Sequence, residues 1–137
     1  MKTKRFKSIV CCDVILRRKD NILLMKRTKD DKYELPGGHL EENEDLIEAM
    51  IREAKEELGI TLKRENLKLI HIMHHYNGKR INFIYEANGE NLEPMIGEPE
   101  KCSKLLWVPI TSIPEETTEK VKIILKNVEG NILYDTL

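Results

Sequence analysis

The sequence predicts an α/β protein in which one mixed β-sheet is covered by helices. Two observations predict it. Strand-like and helix-like segments follow in the order strands, helix, strands, helix, and one strongly amphipathic helix lies directly after a glycine turn. Because 137 residues suit one globular unit and no repeat, low-complexity tract or linker interrupts them, we expect a single domain over residues 1–137.

The first part of the chain predicts a hairpin followed by a short extended segment. Ser8–Leu16 is rich in Ile, Val and Cys, and the polar segment Arg17–Asn21 predicts a turn into a returning strand at Ile22–Lys26. After a charged loop, Tyr33–Leu35 predicts a short strand that ends at the turn Pro36–Gly38.

The best helix is predicted to begin near Asn43–Asp45, since Asn and Asp are good N-cap residues, and to end at Gly59, a typical C-cap residue. Apolar residues spaced four, three and four apart form one stripe that we expect to face the core: Ile47, Ile51, Ala54 and Leu58.

The second half predicts a hairpin, a long polar loop, a strand, a helix and a final strand. The hairpin turn is expected at Asn77-Gly78, a dipeptide that favours tight turns. In chain order the predicted segments are strands Leu67–Tyr76 and Ile81–Ala87, loop Asn88–Lys101, strand Lys104–Val108, helix Thr118–Asn127 and strand Ile132–Tyr134.

Composition limits the partners and the compartment. The formal net charge of −1 argues against binding of long nucleic acid, and the longest apolar runs are too short to cross a membrane. Cys11, Cys12 and Cys102 have neither zinc-site spacing nor a disulfide pattern, so free thiols and a cytoplasmic location are expected. The oligomeric state, monomer or homodimer, stays open.

Three glutamates of the predicted helix carry the candidate chemistry. Glu53, Glu56 and Glu57 lie at i, i+3 and i+4 and so share a helix face, largely opposite the apolar stripe. Arg52 lies four residues before Glu56 and four after Glu48, where it can pair with carboxylates along the helix. A solvated acidic face and a Mg²⁺–phosphate site are both open interpretations, and the preceding glycine turn favours the second.

The stretch Gly38–Ile60 resembles the signature of the Nudix hydrolase family, G-x5-E-x7-R-E-U-x-E-E-x-G-U, where U is aliphatic. All nine specified positions are present, and seven of them demand one residue type: Gly38, Glu44, Arg52, Glu53, Ala54, Glu56, Glu57, Gly59 and Ile60. The segments Glu98–Cys102 and Trp107–Pro109 are similar to the branch related to MutT, which cleaves nucleoside triphosphates. Outside the signature the match is loose.

This resemblance implies an α/β/α sandwich in which the signature forms a catalytic loop–helix–loop. It implies Mg²⁺ or Mn²⁺ as cofactor, with Glu53, Glu56 and Glu57 as metal ligands, one of which activates water. It also implies that Glu44 pairs with Arg52. The remaining ligands implied are the carbonyl of Gly37 or Gly38 and an acidic residue of the late loop, Glu100 first and Glu98 second.

Five residues are candidates for substrate contacts. Arg27 follows the strand Ile22–Lys26 and can reach phosphates with its guanidinium, although a solvated strand end is an equal alternative. His39 follows the glycine pair at the approach to the signature. Phe83, Tyr85 and Tyr76 have rings able to stack on a base, while the commoner role of such rings is in the core.

The resemblance implies metal-dependent hydrolysis of a small nucleotide substrate. A nucleoside triphosphate, ordinary or oxidised, cleaved to a monophosphate and pyrophosphate is the leading hypothesis. A dinucleoside polyphosphate, a nucleotide sugar or ADP-ribose is the alternative substrate. The alternative from another class is a catalytically silent Nudix module that only binds nucleotides, but such a module is expected to have a damaged carboxylate set, and this set is complete.

Overall fold

The computed structural model describes residues 3–137, so Met1 and Lys2 of the predicted domain lie outside the described residues. Within residues 3–137 there are two helices, a short 3-10 turn at Arg64–Asn66 and eight strands. In order they are β1 Ile9–Arg18, β2 Asn21–Arg27, β3 Tyr33–Glu34, β4 Gly37–His39, α1 Leu46–Leu58, β5 Lys68–His75, β6 Arg80–Asn88, β7 Cys102–Pro109, α2 Glu119–Glu129 and β8 Tyr134–Thr136.

The strands form one mixed sheet in the order β3-β2-β1-β6-β5-β8, with β4 paired to β1 and β7 paired to β2. β1 and β6 run parallel at the centre, with Cys11 beside Asn82, and β5 and β8 are also parallel. The remaining pairs are antiparallel. The predicted mixed sheet is therefore confirmed.

Alternation along β1 divides the core between the two faces of the sheet. Cys12, Val14 and Leu16 join the cluster that packs against α1, whereas Ile15 joins the cluster that contains Val121 of α2 and its neighbours. A helix thus covers each face of the sheet, and the predicted α/β/α sandwich is confirmed.

Helix α1 begins and ends where the sequence predicts. Asp45 is the N-cap residue and forms a capping box with Glu48, and Gly59 is the C-cap residue with a left-handed φ of 66°. Of the predicted stripe, Ala54 and Leu58 are buried, while Ile47 and Ile51 are only partly buried.

The buried face of α1 is wider than the predicted stripe, since Ala49 and Met50 are fully buried too. The reason is that α1 packs against two strands of the sheet, β1 and the short β4. This widening brings Glu53 and Glu57 to the inward edge of the helix, so of the three glutamates predicted to lie largely opposite the apolar stripe only Glu56 is exposed.

The glycine turn is the main difference from the predicted elements. The turn expected at Pro36–Gly38 continues instead as strand β4, which pairs with Cys11–Asp13 of β1. The signal for a turn was misleading because two adjacent glycines also permit close approach between two backbones. The final strand begins at Tyr134, two residues later than the predicted Ile132.

Within residues 3–137, neither helix has the length and apolarity that crossing a membrane requires.

Replacement of the α1 cap tests its contribution to stability. Asp45→Ala removes the acceptor that Glu48 N–H uses at 2.8 Å, and we expect the free energy of unfolding to fall by about 1 kcal/mol in urea denaturation. Asp45→Asn keeps a cap acceptor and removes only the charge that faces Arg64, so it should stay close to wild type. Equal losses in the two variants would contradict the capping role.

Candidate active site

One cavity of about 730 Å³ opens between α1, β4, the loop before β7 and the start of α2, a volume typical of small-molecule sites. Its lining is rich in charge of both signs. The acidic side chains are Asp13, Glu34, Glu41, Glu53, Glu57, Glu98 and Glu100, and the basic ones are Lys26, Arg27, Lys29, Arg80, Lys101 and Lys120.

The α1 glutamates do not occupy equivalent places. Glu53 and Glu57 line the cavity and are partly buried, while Glu56 is exposed and lies outside the lining. The side chain of Glu56 instead lies 3.4 Å from Arg52, at the outer side of the helix. The structure therefore brings two of the three predicted ligands together directly.

The two glycines of β4 allow these carboxylates to approach the backbone. Gly37 N–H donates to Glu57 Oε1 at 2.8 Å. A side chain at Gly38 would take the place of the Glu53 carboxylate, and one at Gly37 would clash with the backbone of Cys12. Glycine is thus required at both positions if the carboxylates are to reach the cavity.

Arg52 connects the loop before α1 to the carboxylates on it. Its guanidinium binds Glu44 through two bonds of 2.7 and 3.0 Å, Glu53 at 2.9 Å and the His39 carbonyl at 3.0 Å. The hydrogen bonds to Glu44 are the main cause that raises the pKa of Arg52. The expected pairing with Glu44 is present. Within residues 3–137 the side chain of Glu48 belongs to the helix cap and does not pair with Arg52 as predicted.

Negative charge accumulates in the cavity beyond what Arg52 neutralises. Burial raises the pKa of Glu57 to about 8, and the nearby charges of Glu53 and Glu98 add to the effect. Burial also raises the pKa of Glu53, against the lowering effect of Arg52. A set of oxygen donors with this excess of negative charge fits a hard divalent cation such as Mg²⁺.

No three potential ligand side chains within residues 3–137 are already arranged around a common metal position. Arg52 holds both Glu53 and Glu56 in hydrogen bonds. Each of these bonds uses one carboxylate oxygen and leaves the other for a metal, but Glu56 would have to turn from the exposed side of α1 to reach the cavity.

The late loop contributes two acidic residues of unequal position. Glu98 is partly buried, and its charge helps to raise the pKa of both Glu53 and Glu57. Glu100 also lines the cavity, but it is exposed and its carbonyl accepts a 2.7 Å bond from the Thr28 hydroxyl. Glu98 is thus placed better than the preferred Glu100 to act with the α1 glutamates.

The late loop is fastened to the carboxyl end of α1. Gly97 N–H donates to the Glu57 carbonyl at 2.8 Å, and Met95 N–H donates to the Leu58 carbonyl at 2.9 Å. These carbonyls belong to the last turn of a helix and lack intrahelical partners. A Cβ at Gly97 would clash with the Glu56 carbonyl oxygen, so only glycine allows this approach to the helix next to Glu98.

Of the predicted substrate contacts, the structure brings two to the cavity. Arg27 and His39 line it, and Arg27 is already ion-paired with Asp30. Phe83 and Tyr85 pack in the core beneath α1. Tyr76 is exposed, with its ring centroid 6.2 Å from that of His74. None of the three aromatic side chains is therefore at the cavity. For Phe83 and Tyr85 the reason is that alternation along β6 turns them towards the opposite face of the sheet from Asn82.

Several cavity residues were not predicted from the sequence. Asp13 and Asn82 are buried polar residues on the central strands, and Lys120 extends from the first turn of α2. A charged residue in the middle of an apolar strand, such as Asp13 within Ser8–Leu16, was the available signal, since Asp is rarely buried without a specific partner.

Comparison with known proteins finds a family and a shared fold. The model of the NUDIX domain family matches residues 7–127. The chain is 29% identical over 104 residues to 8-oxo-dGDP phosphatase NUDT18 of Homo sapiens, covering 74% of this chain and 32% of that protein. It is 38% identical over 50 residues to RNA pyrophosphohydrolase of Ruthia magnifica subsp. Calyptogena magnifica, covering 36% of this chain and 28% of that protein.

Among solved structures, a MutT NUDIX hydrolase from Burkholderia pseudomallei has a TM-score of 0.77 and 31% identity, covering 88% of this chain and 97% of that chain. By contrast, this chain spans only 32% and 28% of the lengths of the two curated relatives above.

The loop attachment predicts that Gly97→Ala impairs the site without unfolding the chain. The methyl group must push the loop away from α1 and carry Glu98 with it, so we expect weaker binding of Mn²⁺, measured by electron paramagnetic resonance. Gly78→Ala is the matched control, since its Cβ would meet nothing closer than 3.6 Å. Equal Mn²⁺ affinity in both variants would contradict the role of Gly97.

The buried glutamates predict a pH-dependent stability of the metal-free protein. The pKa of Glu57 is raised from 4.5 to about 8 on folding, so its stabilising contribution is complete below pH 4.5 and is lost as pH rises through 8. We expect the Tm without metal to fall across this range, and to fall less in Glu57→Gln. Thermal melts at stepped pH values test this, and identical pH slopes in the two proteins would reject it.

Proposed function

Since the chain belongs to the MutT-related Nudix hydrolase family, we propose that it hydrolyses a pyrophosphate bond of a nucleoside triphosphate and releases a monophosphate and pyrophosphate. The observation that carries the proposal is the pair Glu53 and Glu57, buried against Gly37 and Gly38 at the wall of a nucleotide-sized cavity. A solvated acidic face would not place carboxylates in this way.

Mg²⁺ or Mn²⁺ is the proposed cofactor. Glu53, Glu56 and Glu57 would hold it, together with Glu98 and the carbonyl of Gly37 or Gly38. Turning of the Glu56 side chain from the exposed side of α1 would complete the set, and Glu100 remains a further candidate ligand. When bound, a divalent ion neutralises phosphate charge and orients the attacking water.

In the proposed reaction, water attacks a phosphorus atom of the substrate. A new P–O bond forms, the bridging P–O bond breaks, and pyrophosphate leaves with the electron pair. The proton lost by water passes to a carboxylate of the cavity. Glu53, Glu56, Glu98 and Glu100 are the candidates for this base, and Arg52 has a positioning role because it holds Glu44 and Glu53 in one network.

The basic side chains at the mouth of the cavity suit the phosphates. Arg27, Lys29 and Lys101 line the cavity together with Thr28. Arg27 is held by Asp30 and lies 3.8 Å from Glu34, so a phosphate must compete with these carboxylates for its guanidinium. A guanidinium that is held in place in this way loses little entropy when it binds a phosphate.

A hydrolysis panel tests the proposal. It holds the ordinary nucleoside triphosphates, 8-oxo-dGTP, 8-oxo-dGDP, ADP-ribose, a nucleotide sugar and a dinucleoside tetraphosphate, each with Mg²⁺ and with excess chelator. We expect chelator-sensitive release of pyrophosphate from triphosphates. We also expect a loss of about 100-fold or more in kcat for Glu57→Gln.

Glu129→Gln, at the exposed end of α2, is the control and should match wild type. Release of two nucleotide products from the dinucleotide, with triphosphates untouched, would move the assignment to the alternative substrate class. Nucleotide binding with no turnover of any substrate would favour the silent module. Full activity of Glu57→Gln would remove that residue from the site.

A further inference from the structure

An arginine outside the cavity holds the beginning of the late loop, the segment of residues 89–101 between β6 and β7 that carries Glu98. Arg18 is the last residue of β1 and is half-buried. Its Nε donates to the Gly89 carbonyl at 3.0 Å, and its Nη2 donates to the Leu92 carbonyl. One guanidinium thus binds two main-chain carbonyls at the start of the loop.

The contact requires the shape and the charge of an arginine side chain. The Arg18 guanidinium lies over the Trp107 ring, 4.2 Å from its centroid, while its N–H groups donate to the two carbonyls. Gly89 is buried, and a Cβ there would lie 3.0 Å from the Trp107 ring and 3.2 Å from the Arg17 carbonyl oxygen. Glycine at this position therefore allows the loop to reach the arginine and the ring together.

Leu92 is the point from which the loop crosses to the carboxyl end of α1. Its side chain packs against the core cluster beneath that helix. Only Glu93 and Pro94 separate it from Met95, whose N–H donates to the Leu58 carbonyl at 2.9 Å. Because proline fixes one backbone angle and the connection is short, little conformational freedom is left in it. The place of Leu92 therefore limits where Met95 can lie.

Glu98 lies between this upstream attachment and a second one downstream. The loop amides that bond to the last turn of α1 precede it in the chain. On its other side, the Thr28 hydroxyl at the end of β2 donates to the Glu100 carbonyl at 2.7 Å. The downstream contact keeps the loop attached when the upstream one is lost. Removal of the Arg18 side chain is therefore expected to displace Glu98 without unfolding the chain.

We propose that Arg18 is a positioning residue that sets the place of Glu98 in the cavity through the loop that joins them. Arg18 lies outside the cavity lining, whereas Glu98 belongs to it. The two carbonyl bonds fix the start of the loop, and the short connection through Pro94 carries that constraint to the last turn of α1. The inference rests on the proposed function, because the place of Glu98 matters for hydrolysis only if this carboxylate acts with the α1 glutamates.

Amide hydrogen exchange on the metal-free protein tests the positional claim directly. Arg18→Met keeps an unbranched apolar side chain against the Trp107 ring but has no donor for the carbonyls. We expect the Gly97 amide to exchange about tenfold faster than in wild type, while Ala54 within α1 keeps its rate. Arg17→Met is the matched control, since that arginine pairs with a glutamate of β6, and both rates should stay unchanged. Equal Gly97 rates in the two variants, or equal acceleration at Gly97 and Ala54, would overturn the proposal.

A double-mutant cycle on Mn²⁺ binding tests whether Arg18 acts through Glu98. The affinities of wild type, Arg18→Met, Glu98→Gln and the double variant are measured by electron paramagnetic resonance. We expect Arg18→Met to weaken binding about tenfold on its own and to have no further effect once Glu98 has been replaced. Losses of equal size in both backgrounds would mean that Arg18 affects the site in general, which contradicts a role through Glu98.

Failure of the proposed function gives a different pattern. If wild-type protein binds Mn²⁺ but hydrolyses no triphosphate, the assigned reaction is wrong, and the double-mutant cycle still decides the role of Arg18. If wild-type protein binds no Mn²⁺, the proposed metal site is wrong, and the exchange rates of the metal-free protein decide. Selective acceleration at Gly97 then upholds the part of Arg18 in placing Glu98, and equal rates overturn it.

Discussion

The site depends on the close approach of helix α1 to strand β4. Two glycines without side chains let the Glu57 carboxylate accept a hydrogen bond from the Gly37 amide and leave room for Glu53 beside Gly38. This contact partly buries two carboxylates at one cavity wall, which makes their charged forms costly in the absence of a cation. The capping box at Asp45 and the apolar contacts of α1 hold the helix in place against that cost.

Arg52 and Gly97 extend this arrangement to the loops on either side. Through Glu44 and the His39 carbonyl, Arg52 ties the entry loop to the helix, and it also partly offsets the charge of Glu53. Gly97 fastens the late loop to carbonyls at the other end of α1 and thereby sets the place of Glu98. A single helix thus positions the carboxylates, the loop before it and the loop before β7. A substitution at Gly97 is therefore expected to alter the same site as one at Gly37 or Gly38.

The carboxylate-lined half of the cavity was predictable from the sequence because its residues lie within one local segment. Helix spacing alone relates Glu53 to Glu57, and the caps at Asp45 and Gly59 follow from residue type. What failed was the orientation of that helix. The pattern of Ile and Leu predicted too narrow a buried face, because it did not indicate that the small side chain of Ala49 also packs inward. The two glycines predicted a turn where the structure has strand β4. Phe83 and Tyr85, which were candidates for base stacking, have the commoner role of core residues because strand alternation turns them to the other face of the sheet.

The other half of the cavity could not be predicted from the sequence, because its residues come together only through tertiary contacts. Asp13, Asn82 and Lys120 lie on β1, β6 and α2, and the parallel pairing of β1 with β6 is what brings the first two within hydrogen-bonding distance. No local spacing relates them. Each is nevertheless a polar residue where burial is costly, and a chain keeps such residues buried only when partners repay the desolvation. The Asn82 acceptor has no such partner within the described chain. The local signature therefore accounts for the carboxylates of α1, whereas the second group of polar side chains depends on contacts that the fold makes between three separate elements.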